Sequence, residues 1–415
     1  MLTLLWLLLP VAAAAGWLAG RRAAGVRPEA FWQHTRHFHQ GLSELFNDRS
    51  AVDEDAEDLL DSLAGRTVEH DGGRTAALAS IDRDTAETHI ALGNLFRRRG
   101  DTERAILLHE SLLAHTELPA GVRADARYEL ARDYESAGLL DRSQAVFREL
   151  IERGERVDEA YGNLLELHES EHDWPRASDV AREYLDNASA RDAVSTRSGP
   201  VSPDRLAHYC CERAQEAARA GYDDTIDGLL GEALAHAPGH ARAHLMLAER
   251  AMAAARPAQA LEHYEAAEAA RPDLVPEFID QRFAAFEALA DEHRLEAYLQ
   301  RLVGRRNAYS VIRRARQVIE ARHGTEAGNR FFKDQILKRP SLRALRDWAR
   351  DQVDSPRTKE PEKVQIVVAM LDRVVEDKPA YLCAECGFRG HVLHWRCPSC
   401  GTWDSVSTII GVEGE

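Results

Sequence analysis

Several kinds of residue are scarce in this sequence, and each scarcity excludes a class of protein. Six cysteines in 415 residues are too few for a fold held together by disulfides. Aromatic residues make up only 7% of the chain, and abundant alanine and arginine favour helices over sheets. The 53 basic residues are outnumbered by 69 acidic ones, so a net charge of −16 disfavours nucleic-acid binding by the chain as a whole.

The motifs of common catalytic sites are also missing. The chain has no G-x-x-x-x-G-K-[ST] phosphate loop, no G-x-G-x-x-G dinucleotide motif and no G-x-S-x-G nucleophile turn. A hydrophobic fraction of 44% is ordinary, so the chain is not wholly disordered. What remains is a helical, acidic protein, and a length of 415 residues predicts two or three domains.

The N-terminal segment is apolar. Residues 2–19 read LTLLWLLLPVAAAAGWLA and carry no charged side chain. As a helix with a rise of about 1.5 Å per residue they span roughly 27 Å, enough for a thin bilayer core. Arg21, Arg22 and Arg27 follow, so the positive-inside rule places the rest of the chain in the cytoplasm. We therefore predict a transmembrane anchor at 1–20; the alternative, a cleaved signal peptide, would need positive charge before the apolar run.

Residues 21–80 are predicted to form a juxtamembrane helix and an acidic linker or imperfect first repeat. The acidic run at 53–58 is typical of a solvated helix face or linker rather than of a docking patch. His34, His37 and His39 do not stack on one helix face, so a surface helix is expected there rather than a metal site.

Small and large residues recur with a regular spacing through the middle of the chain, from 81 to 376. Pro238 and Pro272 lie 34 residues apart, which is the length of a tetratricopeptide repeat. Two further copies align with each other: Leu92-Gly93, Phe96, Gly100 and Ala105 with Leu130-Ala131, Tyr134, Gly138 and Ser143. Small residues let paired helices approach closely, and large ones fill the next groove. The pattern predicts an all-α superhelix of tetratricopeptide repeats whose concave surface binds a protein segment; an unrelated helical bundle is the alternative.

Weaker copies of the pattern lie around Trp174, near Gly324 and after Leu342. Two polar stretches interrupt the array, 186–203 and 351–361, and both are predicted to be loops. The adjacent Cys210 and Cys211 fall within a repeat, where buried packing residues are expected rather than a redox pair.

One motif within the repeats points to an enzyme. His168-Glu169-Ser170-Glu171-His172 matches H-E-x-x-H, which in zinc proteases places two metal ligands and a general base on one helix face. In the repeat register, however, His168 lies near the end of a helix and His172 at the turn that follows. A helix that ends there cannot hold both imidazoles on one face. We therefore expect a protein without enzymatic activity, and a membrane-anchored zinc metalloprotease is the enzymatic alternative.

The strongest local signal lies in the C-terminal domain predicted at 377–415. Two C-x-x-C pairs, ten residues apart, supply four candidate metal ligands: Cys383, Cys386, Cys397 and Cys400. Each pair can form a knuckle whose first sulfur accepts backbone N–H bonds, and the glycine after each pair allows the positive φ of that turn. Facing knuckles predict a tetrathiolate site for one iron or zinc ion, which would supply much of the folding energy of so small a domain. Disulfides, a thioredoxin-like redox pair and electron transfer are the alternatives.

Three features occur together and in this order: the apolar segment 7–22, the sequence LGNLFR at 92–97, and the cysteine pairs with His394-Trp395 between them. In wording and order they resemble the lipopolysaccharide assembly protein B family (LapB, also called YciM) of Gram-negative inner membranes. The resemblance covers essentially the whole chain. It is weakest at 47–84, which is longer and more acidic than expected, and at 186–203.

The resemblance implies a single-pass inner-membrane adaptor whose bulk lies on the cytoplasmic side. Members of the family promote degradation of the LpxC deacetylase by the membrane protease FtsH, and so modulate cellular lipopolysaccharide levels. The resemblance also implies that other lipopolysaccharide-synthesis enzymes gather on the adaptor. It further implies a rubredoxin-like domain that packs back on the repeats, with the same four cysteines as ligands. A general protein scaffold is the further alternative, and homo-oligomerisation is left open.

Overall fold

The computed structural model describes residues 83–115, 117–189, 201–305, 308–353 and 359–414. The predicted anchor at 1–20 and the juxtamembrane segment at 21–80 lie outside these ranges. Within the described ranges, no helix combines the length and the apolar character needed to cross a membrane. The chain divides into two compact units, and the larger, Ile90–His109 with Ala120–Glu415, contains every contact discussed below.

The described residues form sixteen α-helices and, at the C-terminal end, a small β-sheet. The helices are α1 (Arg83–Arg99), α2 (Thr102–Leu113), α3 (Ala120–Ser136), α4 (Leu140–Arg153), α5 (Val157–Ser170), α6 (Trp174–Ser189), α7 (Pro203–Ala220), α8 (Asp223–His236), α9 (Ala241–Ala253), α10 (Pro257–Ala270), α11 (Val275–Ala288), α12 (Glu292–Arg305), α13 (Tyr309–His323), α14 (Thr325–Lys338), α15 (Leu342–Val353) and α16 (Pro361–Glu376). A 3-10 turn (Pro272–Leu274) links α10 to α11.

Consecutive helices pack in pairs, as the repeat pattern predicts. Helix α7 packs on α8, α9 on α10, and α13 on α14. Pro238 and Pro272, which mark the 34-residue step, follow the ends of α8 and α10. Proline cannot continue a helix, so each unit ends at these positions.

Local sequence signals set the limits of α7. Ser202 caps the helix by accepting the N–H of Arg205, and Pro203 occupies the first helical position, where no N–H is needed. Gly221 ends the helix with a φ of 80°, a conformation that other residues rarely adopt. Between these limits α7 packs on α8 and α9, and its His208 and Tyr209 contact the C-terminal domain.

Both predicted loops are shorter than expected. Helix α6 continues to Ser189 and α15 to Val353, so each takes in the first residues of a stretch predicted as loop. Polar side chains there find partners on neighbouring helices: Asn187 Nδ2 lies 3.4 Å from the Tyr161 hydroxyl, and Asp351 pairs with Arg316. The central parts of the two stretches, 190–200 and 354–358, lie outside the described residues.

Gly93 in α1 allows a close approach of helices. A Cβ at that position would collide with the imidazole of His109 in α2. His109 is fully buried, and its Nδ1 hydrogen-bonds Asp133 in α3, whose other oxygen accepts a bond from Arg97 at 2.7 Å. Three helices thus share one paired polar contact inside their apolar packing.

The C-terminal domain is a ribbon built on a three-stranded antiparallel sheet. Strand β1 (Tyr381–Cys383) is central, between β2 (Arg389–Gly390) and β3 (Val406–Thr408). Two aromatic residues of the ribbon extend the hydrophobic clusters of the helices. Trp403 packs against the cluster that contains Tyr209, and Trp395 against the one that contains Phe283. The ribbon therefore shares its packing with the helical core.

Candidate metal centre

The four cysteines of the ribbon meet at one point. Their sulfur atoms all lie within 4.8 Å of one another, with Cys383 Sγ 3.8 Å from Cys400 Sγ and Cys386 Sγ 3.7 Å from Cys397 Sγ. Four sulfurs bound at about 2.3 Å around a tetrahedral ion are separated by about 3.8 Å. The thiols therefore stand at the spacing that a single iron or zinc ion requires.

Each cysteine pair forms a knuckle of the predicted kind. Gly387 and Gly401 have φ angles of 76° and 72°, and their N–H groups donate to the carbonyls of Cys383 and Cys397. The sulfur of the first cysteine in each pair accepts further hydrogen bonds from backbone N–H groups of its own knuckle. Glycine is required at these two turns because a side chain at that φ would be strained.

The surroundings of two sulfurs favour the thiolate, which is the form that binds metal. The Ser405 hydroxyl, 3.3 Å from the sulfur, and nearby backbone N–H groups lower the pKa of Cys383 to about 6. Hydrogen bonding by Thr402 lowers the pKa of Cys400 as well. Burial raises the pKa of Cys397 to about 11. The donor set thus fits a metal ion whose charge offsets the proton lost from that buried thiol.

Glu169, the glutamate of the H-E-x-x-H sequence, holds the ribbon against the helices. Its side chain is 2% exposed and accepts hydrogen bonds from Trp403 Nε1 at 2.8 Å and the Tyr209 hydroxyl at 2.6 Å. Arg205 Nε and Arg396 Nη2 pair with its carboxylate at 2.9 and 3.0 Å. Burial by itself would raise the pKa of Glu169, but Arg205 and these hydrogen bonds outweigh it and hold the pKa below its usual range.

Asp404 makes a second contact between the ribbon and the helices. Its Oδ2 lies 2.7 Å from His208 Nε2, and Arg271 Nη1 donates to its Oδ1 at 3.2 Å. Arg271 also donates to the Val406 carbonyl at 3.1 Å. Between the two contacts, the Trp403 ring stacks on His208 with ring centres 4.5 Å apart. The ribbon is thereby fixed by polar contacts on both sides of the half-buried stack of Trp403 on His208.

The enzyme-like motif does not have the geometry of a zinc protease site. Helix α5 ends at Ser170, and His172 lies beyond it with a φ of 57°. Glu169 points into the ribbon contact rather than toward a metal-bound water. In the part of the chain that the structure describes, two groups of potential metal ligands come together, and neither includes His168 or His172. This arrangement speaks against the metalloprotease alternative.

Cys210 and Cys211 are buried, as the sequence predicts. Both are fully enclosed in α7, and burial raises the pKa of each thiol to about 12. A thiol that stays protonated at neutral pH is a poor nucleophile and a poor redox group. Their role in packing is confirmed.

Sequence reasoning misses the residues that join the ribbon to the helices. Trp403 and Asp404 contact Glu169 and His208, which lie 234 and 196 positions earlier in the chain. No local pattern links positions so far apart. The one available signal is that Glu169 belongs to a metal-binding motif whose second histidine falls at a turn, which leaves its carboxylate free for another contact.

Residues 381–407 match the family described as the rubredoxin metal binding domain. A tetratricopeptide-repeat protein of Thermus thermophilus aligns at 21% identity over 49% of this chain and 99% of its own, with a TM-score of 0.21. The TPR2AB domain of yeast Sti1, in complex with pHSP90, aligns at 12% identity over 70% of this chain and 100% of its own, with a TM-score of 0.30.

Curated relatives named lipopolysaccharide assembly protein B align along the whole chain. The protein of Escherichia coli (strain K12) is 30% identical over 418 residues, which cover 100% of both chains. The protein of Haemophilus influenzae (strain ATCC 51907 / DSM 11121 / KW20 / Rd) is 26% identical over 415 residues, again 100% of both. Together with the rubredoxin-like ribbon, this full-length identity shows that the chain belongs to the lipopolysaccharide assembly protein B family.

Proposed function

We propose that this protein is an inner-membrane adaptor for lipopolysaccharide assembly. In this proposal it modulates lipopolysaccharide levels by bringing the LpxC deacetylase to the FtsH protease, and it gathers other lipopolysaccharide-synthesis enzymes at the membrane. The observation that carries the proposal is the full-length identity to proteins named for lipopolysaccharide assembly. LpxC and FtsH are named as partners because the sequence motifs resemble those of this family.

The helical architecture supports a binding role. Stacked helix pairs present extended surfaces that hold protein segments, and such arrays seldom carry catalytic groups. The apolar segment at 1–20 would confine the chain to the membrane that FtsH occupies. Two partners held by one scaffold meet at a high effective concentration, so proteolysis would accelerate without any reaction by the adaptor itself.

The proposal assigns one metal ion to Cys383, Cys386, Cys397 and Cys400. The sulfur spacing and the N–H bonds to the first sulfur of each knuckle support this assignment. Iron and zinc both suit four thiolates. When bound, the ion would cross-link the two knuckles, while Glu169 and Asp404 hold the ribbon on the helices.

The half-life of LpxC, measured after translation is blocked, tests the adaptor function. We expect the half-life to lengthen several-fold in cells depleted of this protein and to return when the gene is restored. Inactive FtsH should abolish the difference, because the adaptor would then have no protease to supply. An unrelated FtsH substrate is the control and should keep its half-life. An unchanged LpxC half-life would overturn the LpxC and FtsH part of the proposal and leave a general scaffold.

A further inference from the structure

A second group of potential metal ligands lies beside the ribbon and uses none of its cysteines. His208 in α7, His240 at the start of α9 and Asp404 in the ribbon each place one candidate ligand atom within 4.8 Å of the others. The two imidazole rings are 4.3 Å apart and nearly perpendicular, at 78°. Both histidines are buried, with 1% and 3% of their surface exposed.

Each imidazole has a buried nitrogen without a hydrogen-bond partner in the described structure. On His208 this atom is Nδ1, because Nε2 lies 2.7 Å from Asp404 Oδ2. On His240 it is Nε2, because Nδ1 accepts the N–H of Ala243 as the cap of α9. Buried polar atoms are nearly always paired, so two unpaired nitrogens on adjacent rings indicate a shared partner.

We propose that His208 and His240 form a second metal site, in which Asp404 orients His208, and that this site takes one divalent transition-metal ion such as Zn²⁺. The two unpaired nitrogens bind the ion. Asp404 accepts the Nε2–H of His208 and so leaves the lone pair on Nδ1, the arrangement that orients histidine ligands in metal sites. Imidazole suits zinc, nickel and cobalt, whereas calcium and magnesium prefer oxygen ligands.

Loading the site requires a single change of tautomer. A neutral His240 that accepts a hydrogen bond at Nδ1 carries its proton on Nε2, where the ion binds. That proton moves to Nδ1, and the resulting Nδ1–H donates a hydrogen bond to the sulfur of Cys211, 3.8 Å away. No net proton leaves His240, and the only bond lost is the cap from Ala243, which is long at 3.3 Å. Burial, and then His208, lower the pKa of His240 to about 3, so the ring is neutral at physiological pH.

The surroundings provide a route for the ion and a consequence of its binding. A cleft of about 720 Å³ reaches His208 and Asp404 from solvent, and its charged walls carry Glu166 and Asp204 as well as Arg205 and Arg396. Asp404 is held at a φ of 54°, a region that few residues other than glycine occupy. An ion at this site would connect α7 and α9 through His208 to the ribbon, independently of the four cysteines.

The test is the metal content of the untagged full chain in detergent, with the ribbon ion retained. After equilibrium dialysis against micromolar Zn²⁺, mass spectrometry of the metal should give two ions per wild-type chain. His240→Asn should give one ion, because asparagine keeps the helix cap but removes the ligand nitrogen. His293→Asn, at an exposed histidine of α12, is the matched control and should keep two.

A second variant keeps the proposal testable if His240→Asn fails to fold. Asp404→Asn still accepts a hydrogen bond from His208 but withdraws the negative charge, so the affinity for the second Zn²⁺ should fall about tenfold. One ion per wild-type chain would overturn the proposal. A second ion that persists in His240→Asn would also overturn the proposal, because it would be an adventitious ion only.

Discussion

At the scale of single residues, Gly93 lies where α1 meets the imidazole of His109, and a larger side chain does not fit there without moving that ring. His109 is held in turn by Asp133, so the ring has little freedom to yield. We therefore expect Gly93→Ala to lower the free energy of unfolding by about 2 kcal/mol through overpacking. Urea unfolding of the full chain, followed by circular dichroism, measures the change.

Gly231→Ala is the matched control for this substitution. Gly231 lies within α8, and a Cβ there would meet no other atom within 4 Å. Alanine also restricts the unfolded chain, so this variant should be more stable by about 0.5–1 kcal/mol. If Gly93→Ala were equally stabilising, the close approach of α1 to His109 would be wrong.

Glu169 is the residue on which the ribbon contact depends most. Its carboxylate is buried and joins Arg205, Arg396, Tyr209 and Trp403. Glu169→Gln keeps the shape but removes the negative charge that faces the guanidinium groups of Arg205 and Arg396, so we expect a loss of about 3 kcal/mol in unfolding free energy. Glu166→Gln, on an exposed position of the same helix, should change stability by less than about 0.5 kcal/mol.

The pH dependence of this contact has a definite sign. The folded-state pKa of Glu169 is lowered, so its contribution is complete above the unfolded pKa of about 4.3 and is lost as pH falls through the folded value. The stability difference between wild type and Glu169→Gln should therefore be largest at pH 7 and shrink below about pH 4. Loss of the ribbon metal at low pH lowers the stability of both proteins, so this effect cancels from the difference between them. A difference that stayed constant would show that Glu169 is not ionised in the folded protein.

At the scale of the element, the ribbon has three strands of two or three residues and a cluster of four buried side chains as its own core. So little buried surface cannot fold alone, so the contact with the helices and the metal must together supply the rest. Cys383→Ser with Cys386→Ser should lose the tetrathiolate ion and lower the thermal midpoint of the ribbon by more than about 10 °C. Metal analysis and the near-ultraviolet signal of Trp395 and Trp403 report the two effects.

Ser399→Ala is the control for the ribbon variant, because this residue is exposed and the substitution keeps its backbone N–H, which bonds the Cys397 sulfur. It should keep its metal and its midpoint. Undiminished metal-to-protein stoichiometry in the double cysteine variant would remove the assignment of these residues as ligands.

At the scale of the whole molecule, the proposed adaptor requires its N-terminal segment in the membrane. Removal of 1–22 should move the chain to the soluble fraction and lengthen the LpxC half-life to that of depleted cells. An unrelated transmembrane helix fused at residue 23 should restore membrane location but not LpxC turnover, if the native segment contacts FtsH within the bilayer. Full turnover with the unrelated helix would show that the segment acts only as a tether.

The repeat spacing and the cysteine pairs could be predicted because each is set by short-range physics. Proline ends a helix, so the 34-residue distance between Pro238 and Pro272 predicts the length of one repeat without knowledge of the fold. Two C-x-x-C pairs with following glycines likewise specify their own turns. The limits of α6 and α15 could not be predicted, because they depend on bonds from Asn187 and Asp351 to neighbouring helices.

By itself, then, the sequence determined the helix pairs, the two knuckles and the burial of Cys210 and Cys211, all of which depend on residues close in the chain. The role of Glu169 and the meeting of His208, His240 and Asp404 were decided only by tertiary structure. Their partners lie up to 234 positions apart, and burial gives Glu169, His208 and His240 their chemistry by removing water and leaving a few neighbours to satisfy them. Glu169, the carboxylate of a protease-like motif, thus holds the C-terminal ribbon against the helices.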